Sequence, residues 1–94
     1  MYILRIEHEI YDFDSWKKAF DSDPLRRQKV GVRRYRIFRP IDNPNHVMID
    51  LEFDNVNQAE ALSTALRSLW GQLEGKIMAS AQTQIIEMIE VKEY

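Results

Sequence analysis

An α+β domain, with a four-stranded antiparallel sheet and two helices on one of its faces, is predicted by three observations. Residues 46–53 alternate strictly: Val47, Ile49, Leu51 and Phe53 are apolar, while His46, Met48, Asp50 and Glu52 are mostly ionisable or polar. That period of two marks a β-strand with one oily face. Two other stretches carry apolar residues three or four apart, the spacing of a helix face. A short run of turn formers, Asp42-Asn43-Pro44-Asn45, then joins the clear strand to the one before it as an antiparallel hairpin.

Taken in order, residues 2–10 form the first strand, with Leu4, Ile6, His8 and Ile10 on one face and Arg5, Glu7 and Glu9 on the other. A helix follows. Asp12 can cap it, Asp14 places negative charge in its first turn, and Phe13, Trp16 and Phe20 recur at helical spacing. Asp23-Pro24 reads as a second helix start, predicting a short helix from Pro24 to about Val30 that Gly31 ends. Residues 32–39 form the second strand and residues 46–53 the third. Asn57 with Glu60 resembles a capping box opening the second long helix. Ala59, Leu62, Leu66, Leu69, Leu73 and Ile77 give that helix its apolar face, and Gly71 and Gly75 predict a break or cap in its later part. Residues 82–92 form the last strand, with Ile85, Ile89 and Val91 on one face and Ile86 and Met88 on the other.

Two βαβ halves joined by a hairpin make a ferredoxin-like βαββαβ sandwich, occupying residues 1–94 as one domain. The first and third strands lie side by side in the sheet centre, and right-handed crossovers bring both helices to one face. The opposite face then carries Arg5, Glu7, Met48, Asp50 and Glu52, with Arg34, Arg36 and Ile86 beside them. Cross-strand ion pairs are expected there. The last strand is apolar on both faces, and a small domain gains core by sharing it, so this face is expected to be covered by a second copy in a homodimer.

Composition removes several functional classes. The 94 residues are 45% hydrophobic, and 13 Lys plus Arg against 15 Asp plus Glu leave a net charge of −2. That balance offers nucleic acid and anionic membranes no general attraction. No apolar run approaches bilayer length. Cysteine is absent, so disulfides, thiol catalysis and thiolate metal sites are excluded. A cytoplasmic protein is the expectation.

The element order and three local textures resemble the dimeric α+β barrel superfamily, in particular its antibiotic biosynthesis monooxygenase-like proteins. The textures are Phe13-Asp14-Ser15-Trp16-Lys17-Lys18-Ala19-Phe20, Val47-Met48-Ile49-Asp50-Leu51-Glu52-Phe53, and Asn57-Gln58-Ala59-Glu60-Ala61-Leu62. The resemblance spans nearly the whole chain. It implies a barrel closed by two subunits and a small-molecule pocket between sheet and helices. It implies no single activity, since the family includes cofactor-free oxygenases, haem-degrading enzymes, cyclases and isomerases. The haem-degrading pattern has Asn on the first strand, Trp on the second helix and a His soon after. Here Trp70 fits the Trp, but the first strand reads Glu7-His8-Glu9 and no His follows His46. No cofactor is therefore expected.

His8 and Asp50 are the candidate catalytic groups, each able to act as a general base. A buried structural histidine with a backbone partner is the plainer reading of His8. His46, Asp50 and Glu52 share a strand face, but one strand sets them in a line rather than around a metal, so no metal site is expected. Arg34 and Arg36, within the basic stretch that also holds Arg26, Arg27, Arg33 and Arg39, are candidates for holding an anionic ligand. Tyr35 and Trp70 are candidates for stacking on an aromatic one, with Tyr11 and Trp16 as further possible lining. RNA-binding domains of this topology display aromatics on the first and third strands, and here Arg5, Glu7, Met48, Asp50 and Glu52 stand there instead. The function these residues favour is non-catalytic binding of a small conjugated or anionic molecule. The alternative is a cofactor-free monooxygenase, cyclase or isomerase acting on an aromatic polyketide-like substrate.

Overall fold

The computed structural model describes residues 1–73 and 78–94. The elements run β1 (Tyr2–Ile10), α1 (Phe13–Ser22), β2 (Arg34–Phe38), β3 (His46–Phe53), α2 (Val56–Leu73) and β4 (Met78–Glu87). They build a ferredoxin-like α+β sandwich. The sheet order is β2-β3-β1-β4, with every neighbouring pair antiparallel. β1 and β3 are central, paired on both edges, and their alternation gives them one oily face.

Register carries the two patterns across the sheet. Leu4 lies opposite Leu51 and Ile6 opposite Ile49, whereas Arg5 lies opposite Asp50 and Ile3 opposite Glu52. Leu4, Ile6, Ile10, Val47, Ile49, Leu51 and Phe53 are buried against Trp16 of α1 and Ala59 and Leu62 of α2. The other face is charged. Arg5 grips both Asp50 oxygens at 2.8 Å through Nε and Nη2. Arg36 and Arg34 stand 2.9 and 3.3 Å from Glu52 Oε2. These contacts are close enough for ion pairing yet too poorly aligned for a hydrogen bond to that oxygen. Asp50 and Glu52 are 4% and 3% exposed although no helix covers them. Arginine stems and neighbouring strands do the covering.

Asp12 caps α1 as its sequence implies, accepting from the Ser15 amide at 2.9 Å and from its hydroxyl at 2.7 Å. α2 is capped differently from the expectation. Asn55, not Asn57, is the cap: its Oδ1 accepts from the amides of Asn57 at 2.7 Å and Gln58 at 3.3 Å. A capping side chain must precede the first helical turn, and Asn57 already lies within it.

Two further expectations are corrected. Residues 24–31 form successive turns rather than a short helix. Asp23 and Arg26 both adopt left-handed backbone, with φ of 51° and 53°, which interrupts helical propagation at the first possible turn. Asp23 Oδ1 instead accepts from the Arg27 amide at 2.9 Å. Gly31 does end the segment, with φ of 108°, and a Cβ there would meet the Gln58 side chain at 2.6 Å. The last strand spans Met78–Glu87, not 82–92. Its partner β1 begins at Tyr2, opposite Glu87, and the final backbone bond runs from Met88 N–H to Met1 O. Beyond that point no strand remains to pair with, and Ile89 and Val91 are exposed. Gly71 does not interrupt α2, which continues to Leu73; Gly75 and Ile77 lie outside the described residues.

The cap assignment is testable by urea denaturation. Asn55→Ala is expected to cost about 1 kcal/mol, whereas Asn57→Ala is expected to stay within roughly 0.5 kcal/mol of the parent. Equal losses would contradict the assignment.

Candidate functional site

Both helices lean on the oily sheet face without closing on it everywhere. The result is a cavity of about 200 Å³ between α1, α2, the sheet and the turn at 22–27. Its walls are almost wholly apolar: Ile6, Ile49 and Leu51 form the floor, Leu62, Leu66 and Leu69 one side, and Trp16 and Phe20 the other. The few polar groups include His8, Asp23 and Arg27.

His8 enters because β1 alternation sends it to the same face as Leu4 and Ile6. It is 2% exposed. Two indoles flank it, Trp16 at 5.7 Å and Trp70 at 6.4 Å between ring centroids. Nδ1 lies 3.4 Å from the Glu9 carbonyl oxygen, which can only accept. The neutral ring therefore carries its proton on Nδ1 and presents Nε2 as an acceptor, with no hydrogen-bond partner among the described residues. Burial pushes the His8 pKa down from 6.5 to about 4, against the weaker opposing effect of the Glu9 carbonyl, and His46 lowers it further. At neutral pH the group is an uncharged imidazole.

The aromatic row continues outward. Trp16 stacks on Phe20 at 5.2 Å, and Phe20 meets the Tyr35 ring edge-on at 5.0 Å. The Arg27 guanidinium lies 3.8 Å from the Phe20 centroid and 5.2 Å from that of Tyr35. The apolar spacing of α1 that reads as simple core packing is thus also the wall of the cavity.

The structure brings some of the sequence-derived candidates together and separates others. His8 and Trp70 share the cavity. Tyr35 stands at its outer side, half exposed, lining a second, more polar cleft with Arg34. Arg36 and Asp50 lie on the opposite sheet face, each engaged in an ion pair. Asp50 and His8 therefore do not form one catalytic pair. Tyr11 is exposed and away from the cavity. His46 is on the charged face, its Nε2 3.2 Å from Glu7 Oε1. Among the described residues, no group of three metal-ligating side chains converges, and no helix is long and apolar enough to cross a membrane. Sequence reasoning missed Arg27, whose only signal was its place in a basic stretch; its approach to Phe20 depends on the turn that replaced the expected helix.

No family model matches the chain, and no curated protein is detectably similar in sequence. Solved structures are similar in fold. A variant of MhuD with two manganese protoporphyrin IX molecules bound per active site matches with a TM-score of 0.73 at 11% identity, covering 100% of both chains. A protein of Nitrosomonas europaea, provisionally assigned as an antibiotic biosynthesis monooxygenase, matches at 0.70 and 18% identity over 96% of this chain and 100% of its own. A dimeric ferredoxin-like protein from an uncultured marine organism matches at 0.70 and 8% identity over 100% of both. At these identities the likeness establishes the fold.

His8 burial has a pH consequence. Above pH 6.5 the imidazole is neutral in folded and unfolded chains alike. As pH falls from 6.5 to about 4, the unfolded chain takes up a proton that the folded one refuses. Stability attributable to His8 is thus lost through that window, by roughly 3 kcal/mol at pH 4 and below. Urea unfolding of the parent and of His8→Leu at pH 7 and pH 4 is expected to show the parent losing about that much more than the variant. Identical pH dependence would contradict the burial argument.

Proposed function

We propose that the cavity binds a small conjugated molecule, seated against Trp16 and Trp70 with a hydrogen-bond donor directed at His8 Nε2. One observation carries this reading: an uncharged, buried imidazole, whose Nε2 has no hydrogen-bond partner among the described residues, lies near two indoles in an apolar cavity. A water-filled structural void would not need flat aromatic walls, and a packing histidine would not need a cavity beside it. At about 200 Å³ the space is below the roughly 300 Å³ at which drug-sized pockets begin, which favours a compact one- or two-ring ligand.

Proton abstraction by His8 is the second reading, and the same imidazole favours it. A base held at a pKa of about 4 is a weak one at neutral pH, so binding is the stronger proposal. The porphyrin carried by the MhuD variant does not suit these residues. Trp16 and Trp70 crowd both sides of His8, leaving a cavity too small for a macrocycle, and the other histidine is on the far face. The charged sheet face supports a homodimer: its carboxylates are already sheathed by half-exposed arginines, and the marine relative is described as dimeric.

NMR tests the ligand reading directly, because the chain has two tryptophans and so two indole N–H signals. 2-Naphthol is expected to shift both saturably, and His8→Leu to weaken its binding by about three- to tenfold. No saturable shift with hydroxynaphthalenes or phenols would overturn the reading. Sedimentation velocity at micromolar concentration is expected to give twice the chain mass; a monomer at all concentrations would remove the dimer.

A further inference from the structure

We infer that Arg27 is an anion-recognition group at the mouth of the cavity, so that the ligand is a planar hydroxyaryl acid, its hydroxyl deep beside His8 and its acid group at the guanidinium. This inference rests on the binding reading above and narrows its substrate class.

Arg27 belongs to two spaces at once. It lines the apolar cavity, and it lines the larger polar cleft outside it, together with Asp23. Among the described residues it is the cation common to both. Its stem and guanidinium are held rather than free: the side chain is 17% exposed, Nη1 donates to the Phe20 carbonyl at 2.9 Å, and the planar group covers the Phe20 ring at 3.8 Å. A guanidinium has five N–H donors in a rigid fork. Nε and Nη2 have no protein acceptor among the described residues. A pre-positioned cation with spare donors, in a place of low solvent access, suits a carboxylate better than a mobile surface arginine does.

Opposing charge is present and limited. Asp23 Oδ1 lies 3.5 Å from Nη1 and pairs with it while also accepting from the Arg27 amide at 2.9 Å, which leaves Nε and Nη2 as the spare donors among the described residues. The outer cleft adds Arg33 and Arg34, of which Arg33 is paired with Asp54 at 3.3 Å and Arg34 with Glu52 at 3.3 Å. Arg33 and Arg34 are each 65% exposed, whereas Arg27 is 17% exposed and fixed by the Phe20 carbonyl and ring, which makes it the best-placed donor to an entering anion.

The two ends make different demands. His8 Nε2 accepts, so the deep end needs a hydroxyl or similar donor. Arg27 donates, so the outer end needs an acceptor, best an anionic one. Between them run Trp16 and Phe20, stacked with an interplanar angle of 27°, a wall suited to a fused ring system.

Calorimetric titration with 6-hydroxy-2-naphthoate and with its methyl ester tests this in the unmodified protein, since the two differ in charge at one end. In low-salt buffer the acid is expected to bind about tenfold more tightly than the ester. Arg27→Met is expected to reduce that preference to below about threefold. Asp23→Asn keeps the acceptor for the Arg27 amide and removes the opposing charge, so it is expected to tighten the acid and leave the ester unchanged. Equal affinity of acid and ester, with both bound, would overturn the role of Arg27 and leave the binding reading intact. A full preference surviving in Arg27→Met would do the same. Failure of both compounds and of 2-naphthol to bind would overturn the two together.

Discussion

Tyr2–Ile10 and His46–Phe53 pair over eight residue positions in the middle of the sheet, and each also pairs on its other side. Both strands alternate, and their register brings like to like: leucine and isoleucine opposite leucine and isoleucine, arginine opposite aspartate. A slip of one residue would turn all of these over, burying carboxylates under the helices. The cost of an unpaired ion in an apolar core makes that slip prohibitive. The sorting of the two strand faces therefore decides which side the helices occupy, where His8 points and which charges remain outside.

The charged face is unusual for being closed without a helical layer. Asp50 and Glu52 are nearly inaccessible, yet each is reached by arginine from a neighbouring strand. Arg5 meets Asp50 in the bidentate geometry that suits a carboxylate best, and this partner raises the Arg5 pKa above its ordinary value. Glu52 is less well served, with two arginines close to one oxygen and neither well aligned. The guanidinium groups themselves are substantially exposed, so the face offers a layer of cations over buried anions. Its charge is organised by intramolecular pairing, which is why Asp50, Arg34 and Arg36 stand apart from the cavity.

On the other side, closure is incomplete. Trp16 and Phe20 on α1 and Trp70 on α2 line the space left between the two helices over the sheet, with His8 among them. Burying an imidazole at the expense of its basicity costs stability once pH falls below about 6.5. A leucine at position 8 would continue the pattern of Leu4 and Ile6 without it. That a titratable ring stands there instead, beside a cavity and two indoles, is the reason this side of the sheet is the better candidate for chemistry.

Period and turn chemistry were enough to read the fold, because the strong strand, the two helical stripes and the short hairpin each depend on local spacing. The limits of local reading appear where a choice depended on a partner. The strand expected to reach residue 92 stops at Glu87, where β1 ends, although Ile89 and Val91 continue the alternation. The helix expected after Pro24 gives way to turns once Asp23 and Arg26 take left-handed backbone. Of the candidate site, His8 and Trp70 were legible as an out-of-pattern residue and a helix-end aromatic, whereas Arg27 was one basic residue among seven in that stretch. By itself the sequence determined the order of elements and which residues share a strand face, since those follow from backbone geometry. Only the tertiary structure decided which of those residues meet across a cavity and which neutralise one another, since distance between side chains is set by packing of segments far apart in the chain.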